Sequence, residues 1–495
     1  MSSNRAGRAL VLLLLGAYHL NLRQVSTDTA ASRLVPLSLV RDGDFALDEF
    51  RSSKTLDIRA GEPLPFYLVE SHGHIYDAYP PVAAILAAPI YAIPSWLGLP
   101  HDSELLANVF SKLAASLMAA ASAWLVWRAL LGLGHGPRTA WAVAAVYGLA
   151  TPIWSTASQG LWSHTPAVWM FALAIWALTR RRLGIAMTAT AIGGVARPVM
   201  LLALPVVLAA GIDLRRRDSS RALRSCAGAA AVLCAAAIYN LHVCGSVLGT
   251  AEARNSYWNE VFGVRSMWDG NFGEGLLGLA ICPSRGLLVY SPIVALALVG
   301  AWMVWRRPLE SPPSRPEHIA RACAVVCGVA YLVYAKYLVW WGGHSYGPRY
   351  LTDVMPFAAP LMAVAADRLG LLARSRPAWR AAWGGALVYS VVVQAIGAFC
   401  WPSHLEGPID FAYYRRLWSP NNQIVKCIRA GPVVDKTARR VLTRMGLRLG
   451  PAPRFRPSAP SNGFPHPLQR SALAFQRLGL AASVPPARDS DAVTR

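Results

Sequence analysis

Long apolar runs separated by short polar stretches recur from residue 8 to residue 401. They fall at 8–22, 105–130, 138–153, 164–179, 183–196, 198–213, 223–243, 286–305, 320–339, 351–372 and 380–401. In hydrocarbon a backbone must satisfy its own polar groups, which a helix does, and about 20 apolar residues cross the bilayer core. The pattern therefore predicts an all-α polytopic membrane protein with about eleven transmembrane helices. The runs between 183 and 213 are one apolar stretch interrupted by Arg197-Pro198. Residues 23–79 read as a long polar loop. Residues 80–97 are apolar but carry Pro89 and Pro94 and precede Asp102 and Glu104, so they read as a re-entrant or interfacial pair of short helices. Arg5 and Arg8 before an apolar run resemble a signal peptide. No small-residue cleavage site follows, so the run reads as a retained first span.

Charge sets the orientation. Basic residues cluster at Arg5 and Arg8, Arg128 and Arg138, Arg180 to Arg182, 215–224, 306–321 and 374–380. If 80–97 does not cross, these clusters share one side, which the positive-inside rule makes cytoplasmic. The opposite face receives 23–104, 154–163, the turn at Arg197, 244–285, 340–350 and the tail from 402. Every unusual polar motif falls on that face. A multi-pass protein of the plasma (inner) membrane with its site toward the exterior or periplasm is the expectation.

Composition adds exclusions. With 495 residues, 54% hydrophobic and 15% charged, the chain is not an ordinary soluble protein. A net charge of +22 would suit nucleic acid, but the basic residues sit in short clusters between apolar runs, so no nucleic-acid partner is expected. The 8 cysteines lack zinc-like pairing, and Cys323 and Cys327 read as small core residues. Asp42, Asp44, Asp48 and Glu49 match no metal-binding loop and read as a solvated face. No cofactor is indicated; a divalent metal is compatible with the chain but nothing in it calls for one. Residues 402–495 form a Pro- and Arg-rich tail, set apart from a 1–401 membrane domain and expected to be largely disordered beyond residue 449. No internal repeat stands out, against transporters built from duplicated halves.

The candidate chemistry begins at Asp28, in Ser26-Thr27-Asp28-Thr29 just after the first span. A carboxylate at the lip of a cavity can deprotonate an incoming hydroxyl; the same composition suits a helix cap. The segment from Trp340 to Tyr350 joins Gly-Gly and Gly-Pro turns to aromatic residues. Glycines admit close backbone approach, and Trp340 and Trp341 offer flat surfaces of the kind sugars stack on. His344, Tyr346 and Tyr350 are further substrate contacts in this reading, and an interfacial aromatic belt is the plain alternative. Arg349 opens a span, where it either forks onto a phosphate or reaches lipid head groups. Arg285 opens another, beyond a loop carrying Arg254, Asn255, Tyr257, Trp258 and Asn259. Arg197, at a Pro break inside an apolar stretch, is a third phosphate candidate. His164 either bonds a phosphate or sugar hydroxyl or is structural. Asp77 and Tyr79 either approach Asp28 or cap the helix after them.

A first span, a long outer loop opening with Asp28, juxtamembrane helices, alternating spans and Gly347-Pro348-Arg349-Tyr350 before a late span make up a plan. In it the chain resembles the GT-C superfamily of membrane glycosyltransferases. The nearest types are the protein O-mannosyltransferases, the aminoarabinose transferases and uncharacterised bacterial proteins of the same shape. The resemblance covers residues 8–401. It implies a catalytic carboxylate in the first outer loop, matched by Asp28, and a sugar donor on a polyprenyl phosphate whose phosphate is held by Arg349 and Arg285. The adjacent acidic pair of many members is absent, since Thr27 and Thr29 flank Asp28; Asp77 and Asp48 are reserve bases. No acceptor-binding domain follows the spans, so the acceptor stays open between glycan, lipid and protein. The chain also lacks a nucleotide-phosphate loop, which agrees with a lipid-linked donor. A transporter or flippase of a lipid-linked sugar is the rival class. It needs ionisable groups at mid-depth, where the sequence offers Lys112, Arg197 and few others.

Overall fold

The computed structural model of the chain describes residues 3–21, 27–53, 55–61, 64–97, 104–212, 219–306, 314–372, 377–401 and 411–431. The tail beyond residue 449, expected to be disordered, lies outside them. Helices occupy the apolar runs: α1 (Ser3–Tyr18), α4 (Glu104–Gly132), α5 (Pro137–Leu149), α6 (His164–Thr179), α7 (Leu183–Ala196), α8 (Ala203–Gly211), α9 (Ser219–Cys244), α12 (Leu287–Tyr290), α13 (Ala295–Trp305), α14 (Arg315–Lys336), α15 (Met355–Arg368) and α16 (Pro377–Cys400). Between them lie α2 (Val35–Arg41), α3 (Val82–Trp96), α10 (Gly249–Phe262) and α11 (Phe272–Ile281), and after them α17 (Phe411–Leu417) and α18 (Gln423–Ala430). By length and composition, 4 helices among the described residues can cross a membrane: 106–132 of α4, 222–244 of α9, α14 and α16. The apolar stretch 183–213 is broken at Arg197, where α7 ends and a 3₁₀ turn, Pro198–Leu202, leads into α8. Proline at the first position of that turn has no N–H to leave unpaired.

Two features depart from the sequence-based reading. Residues 82–96 form one helix, not a pair, so Pro89 and Pro94 do not divide it; helices in apolar surroundings tolerate such prolines because neighbours satisfy the freed carbonyls. The polar loop contains a hairpin, β1 (Leu68–Ser71) antiparallel to β2 (His74–Asp77). Its turn residues, His72 and Gly73, both have positive φ (52° and 82°), the backbone a tight two-residue hairpin turn requires. Past residue 401 the described residues add α17 and α18.

The polar loop is not draped loosely on the bundle. Leu34, Leu37, Leu47, Leu56 and Ile75 form a second apolar cluster with Ala87 and Tyr91 of α3 and with Ala107 and Met118 of α4. The main core joins α1, α4 to α8 and α13 to α15. In apolar surroundings, helix association relies on close packing of small residues. A Cβ on Gly300 of α13 would lie 1.9 Å from the Leu361 carbonyl oxygen of α15. Gly300→Ala is expected to destabilise the protein by about 1–3 kcal/mol, read as a lower unfolding midpoint in detergent; an unchanged midpoint would mean that α13 and α15 do not touch there. In contrast α9 and α16 turn Ile238 and Leu241, and Val388 and Val392, outward, apolar faces suited to lipid.

Candidate active site

A cavity of about 220 Å³ gathers residues from segments far apart in sequence. The first polar loop supplies Asp28, Phe66 and Tyr79. The α5–α6 connection gives Trp162, Ser163 and His164, and the α7 break gives Arg197. Helix α10 adds Arg254, Asn255 and Trp258; α14 and the turn beyond it give Tyr334, Tyr337, Gly342, Gly343, His344, Arg349 and Tyr350. These are loops that charge alternation sorted to one face.

Asp28 lies in a 3₁₀ turn, Thr27–Thr29, and its carboxylate accepts a hydrogen bond from the Arg349 guanidinium, 321 residues away in sequence. That guanidinium also sits 4.9 Å from the Trp162 ring centre and 5.5 Å from that of Tyr350, contacts that favour a cation over an aromatic face. Arg254 lies 4.3 Å over Tyr79 and donates to the Ala78 carbonyl. Among the described residues, the cavity lining thus carries Arg197, Arg254 and Arg349 against the single carboxylate of Asp28, an excess of positive charge.

Behind the lining is a buried polar cluster built on Asp353, which the sequence-based reading passed over. Asp353 is 0% exposed. Its carboxylate accepts from His164 Nδ1 at 2.7 Å, Arg197 Nε at 2.8 Å and Tyr334 Oη at 3.0 Å. Arg197 reaches Tyr334 Oη and Ser163 Oγ as well. The available signal was a carboxylate near the start of an apolar run, functional by default.

Several candidates are placed elsewhere. Arg285 is absent from the lining, and its guanidinium donates to Trp341 O at 2.7 Å, Ser284 O at 2.8 Å, Gly343 O at 2.9 Å and Tyr413 Oη at 2.8 Å. It is wholly buried and braces the 341–343 turn against α17. Gly342 and Gly343 have φ of 78° and 68°, and that left-handed pair precedes the turn to Arg349. Trp340, Trp341 and Tyr346 are buried outside the lining: Trp340 packs on Gly278, Trp341 on Phe262 and Tyr413, and Tyr346 bonds Val393 O. Gln423 of α18 completes the bracing. Its Oε1 accepts from Gly347 N at 2.8 Å and Tyr290 Oη at 2.9 Å, and its Nε2 donates to Ser345 O at 2.7 Å. Asp77 is also off the lining. It accepts from Ser32 Oγ at 2.6 Å and Tyr79 N at 3.0 Å, and burial pushes its carboxyl up to about 7, against the lowering effect of those bonds and of Arg254. It anchors Tyr79, whose ring is on the lining. Asp48 bonds His74 and Ile75 at the hairpin.

No family model matches the chain, and no curated protein matches it by sequence. Its structure is similar to the crystal structure of the Archaeoglobus fulgidus oligosaccharyltransferase in complex with zinc and sulfate. The TM-score is 0.50 at 14% identity, over 90% of this chain and 58% of that one. The fold is the GT-C fold. The chain spans less than two thirds of the archaeal enzyme's length. It is also similar to ArnT from Cupriavidus metallidurans, bound to undecaprenyl phosphate (TM-score 0.43, 16% identity, 79% of this chain and 74% of that one) and in the apo state (TM-score 0.38). Within this GT-C fold no group of three or more His, Cys, Asp or Glu suited to a metal occurs among the described residues. Asp28, the one carboxylate on the cavity lining among the described residues, is engaged by Arg349.

Proposed function

We propose that the chain is a membrane glycosyltransferase of about eleven crossings that moves a sugar from a polyprenyl-phosphate carrier to an acceptor hydroxyl at the outer membrane face. The observation that carries this reading is the Asp28–Arg349 pair on the cavity lining. An acceptor oxygen attacks the anomeric carbon, the bond from that carbon to the phosphate oxygen breaks, and the acceptor proton passes to Asp28. The polyprenyl phosphate leaves with its charge stabilised by Arg349 and Arg254. Such preorganised donors act most strongly where water is excluded. Arg349 has two tasks in sequence. It holds the Asp28 carboxylate in place before donor binds, and it turns part of its guanidinium to the phosphate when donor enters, which frees Asp28 to face the acceptor hydroxyl. A transporter would need free charges along a path across the membrane. Here Arg197 and Asp353 pair with each other, and Lys112 donates to Ser158 O, which counts against that reading.

The test is transfer by purified protein in nanodiscs supplied with undecaprenyl-phosphate-linked sugars and the products followed. Arg349→Lys keeps the charge but loses the planar fork that grips phosphate and carboxylate together. A donor KM raised about tenfold, from the loss of a charge-assisted hydrogen bond, is expected. If Arg349→Lys and Arg349→Ala both leave donor KM and kcat intact, Arg349 serves only as a lipid head-group anchor.

A further inference from the structure

On side chains that line the cavity, the buried polar atoms without a hydrogen-bond partner among the described residues include His164 Nε2 and Trp162 Nε1, with Arg349 Nε a further one. The His164 and Trp162 side chains are 1% and 4% exposed, with ring centres 6.2 Å apart. The charges around His164 decide what its free nitrogen offers. The carboxylate of Asp353 is balanced by Arg197, and Tyr334 adds a neutral hydroxyl. Arg349 stands nearby with its own counter-ion, Asp28. A proton added to the imidazole would be a buried positive charge without a partner, which is costly. The ring is therefore neutral. A carboxylate only accepts, so the proton lies on Nδ1, which faces Asp353, and Nε2 on the other flank of the ring carries a lone pair. Indole Nε1–H, by contrast, only donates.

An orphan acceptor and an orphan donor on neighbouring lining side chains set a two-part demand on a ligand group that reaches both. An ionised phosphate only accepts and would bring its lone pairs against Nε2. An ammonium only donates and would leave the Trp162 N–H unmet. A hydroxyl does both. We infer that His164 and Trp162 form a subsite for a hydroxyl of the transferred sugar, next to the phosphate grip of Arg349, and that Asp353 and Arg197 are positioning residues that hold His164 in the accepting tautomer. The inference deepens the transferase reading and rests on it for the nature of the ligand. It also assigns a preference: the sugar presents a hydroxyl, not an amine, at this place.

The test uses the full chain in nanodiscs with two probes, undecaprenyl phosphate and an undecaprenyl-phosphate-linked hexose. Trp162→Phe keeps an aromatic ring under Arg349 and removes the N–H together with one ring of the indole; His164→Phe removes the Nε2 acceptor together with the Nδ1–H that bonds Asp353. Both should bind the bare lipid phosphate about as wild type does, and each should lose roughly 10- to 100-fold in affinity for the hexose lipid, the cost of one unmet buried partner. Equal loss on both probes, or no loss on the hexose lipid, overturns the subsite. If the wild type binds neither lipid, the donor reading falls instead. The ¹⁵N resonances of the His164 ring, assigned by difference against His164→Gln, then decide the subsite without any ligand. A neutral ring protonated on Nδ1 is expected, and a charged ring or one protonated on Nε2 overturns it.

Discussion

Asp28→Asn is expected to fold, to bind the lipid-linked donor and to turn it over about 10²–10⁴-fold more slowly than wild type, the usual loss when a general base is removed. Asn keeps the size of Asp28 and much of its hydrogen bonding, so the 3₁₀ turn should survive. Arg349 loses its counter-ion, yet it keeps its place over Trp162 and Tyr350. Donor affinity should hold or rise slightly, since one negative charge near the incoming phosphate has gone. A purely capping Asp28 predicts the reverse: near-normal turnover for Asn and poor expression for Ala. Turnover above about a tenth of wild type in Asp28→Asn, with chemistry rate-limiting, would remove Asp28 from the mechanism.

Asp353→Asn should be the most destabilising single change in the site. It leaves the Arg197 guanidinium, 13% exposed at its side chain, without a counter-ion, and breaking a buried pair on one side typically costs about 3–5 kcal/mol. It also unsettles His164 and Tyr334, which bond the same carboxylate. Replacing both partners at once with apolar residues, Arg197→Met with Asp353→Leu, removes the stranded charge and should recover much of the stability while activity stays lost. Unfolding midpoints of the two single variants and the double variant in detergent give the comparison. A double variant as unstable as Asp353→Asn would show that packing, not charge, sets the cost.

The sequence shows the helices because burial in lipid leaves a coarse trace: long apolar runs and basic clusters between them. It also placed on one face the segments that the cavity brings together, and Asp28, Tyr79, His164, Arg197, His344, Arg349 and Tyr350 all line it. The direction in which a side chain points leaves no such trace. Arg285, Trp341 and Tyr346 have the right residue types at the right end of their helices, and they turn inward to brace backbone. Asp353 escaped notice because it follows Arg349 by only four positions, and the arginine drew the phosphate reading. The hairpin leaves only its His72-Gly73 turn as a mark in the sequence, because the four-residue strands on either side carry no apolar/polar alternation. Helices α17 and α18 are short and lie in a polar segment. Their order comes from tertiary bonds to residues more than a hundred positions upstream.

Those late bonds impose an order of events on biosynthesis. A chain emerges from its N-terminus and its parts assemble as they appear. All the apolar helices, through α16, can leave the ribosome before Tyr413 and Gln423 do. Until then the turn that carries His344 and Arg349 lacks the contacts that Tyr413 and Gln423 make with Arg285, Ser345 and Gly347. A nascent chain is thus complete in its apolar helices yet unfinished at its cavity, and the site is completed only when the last described helices fold back onto it.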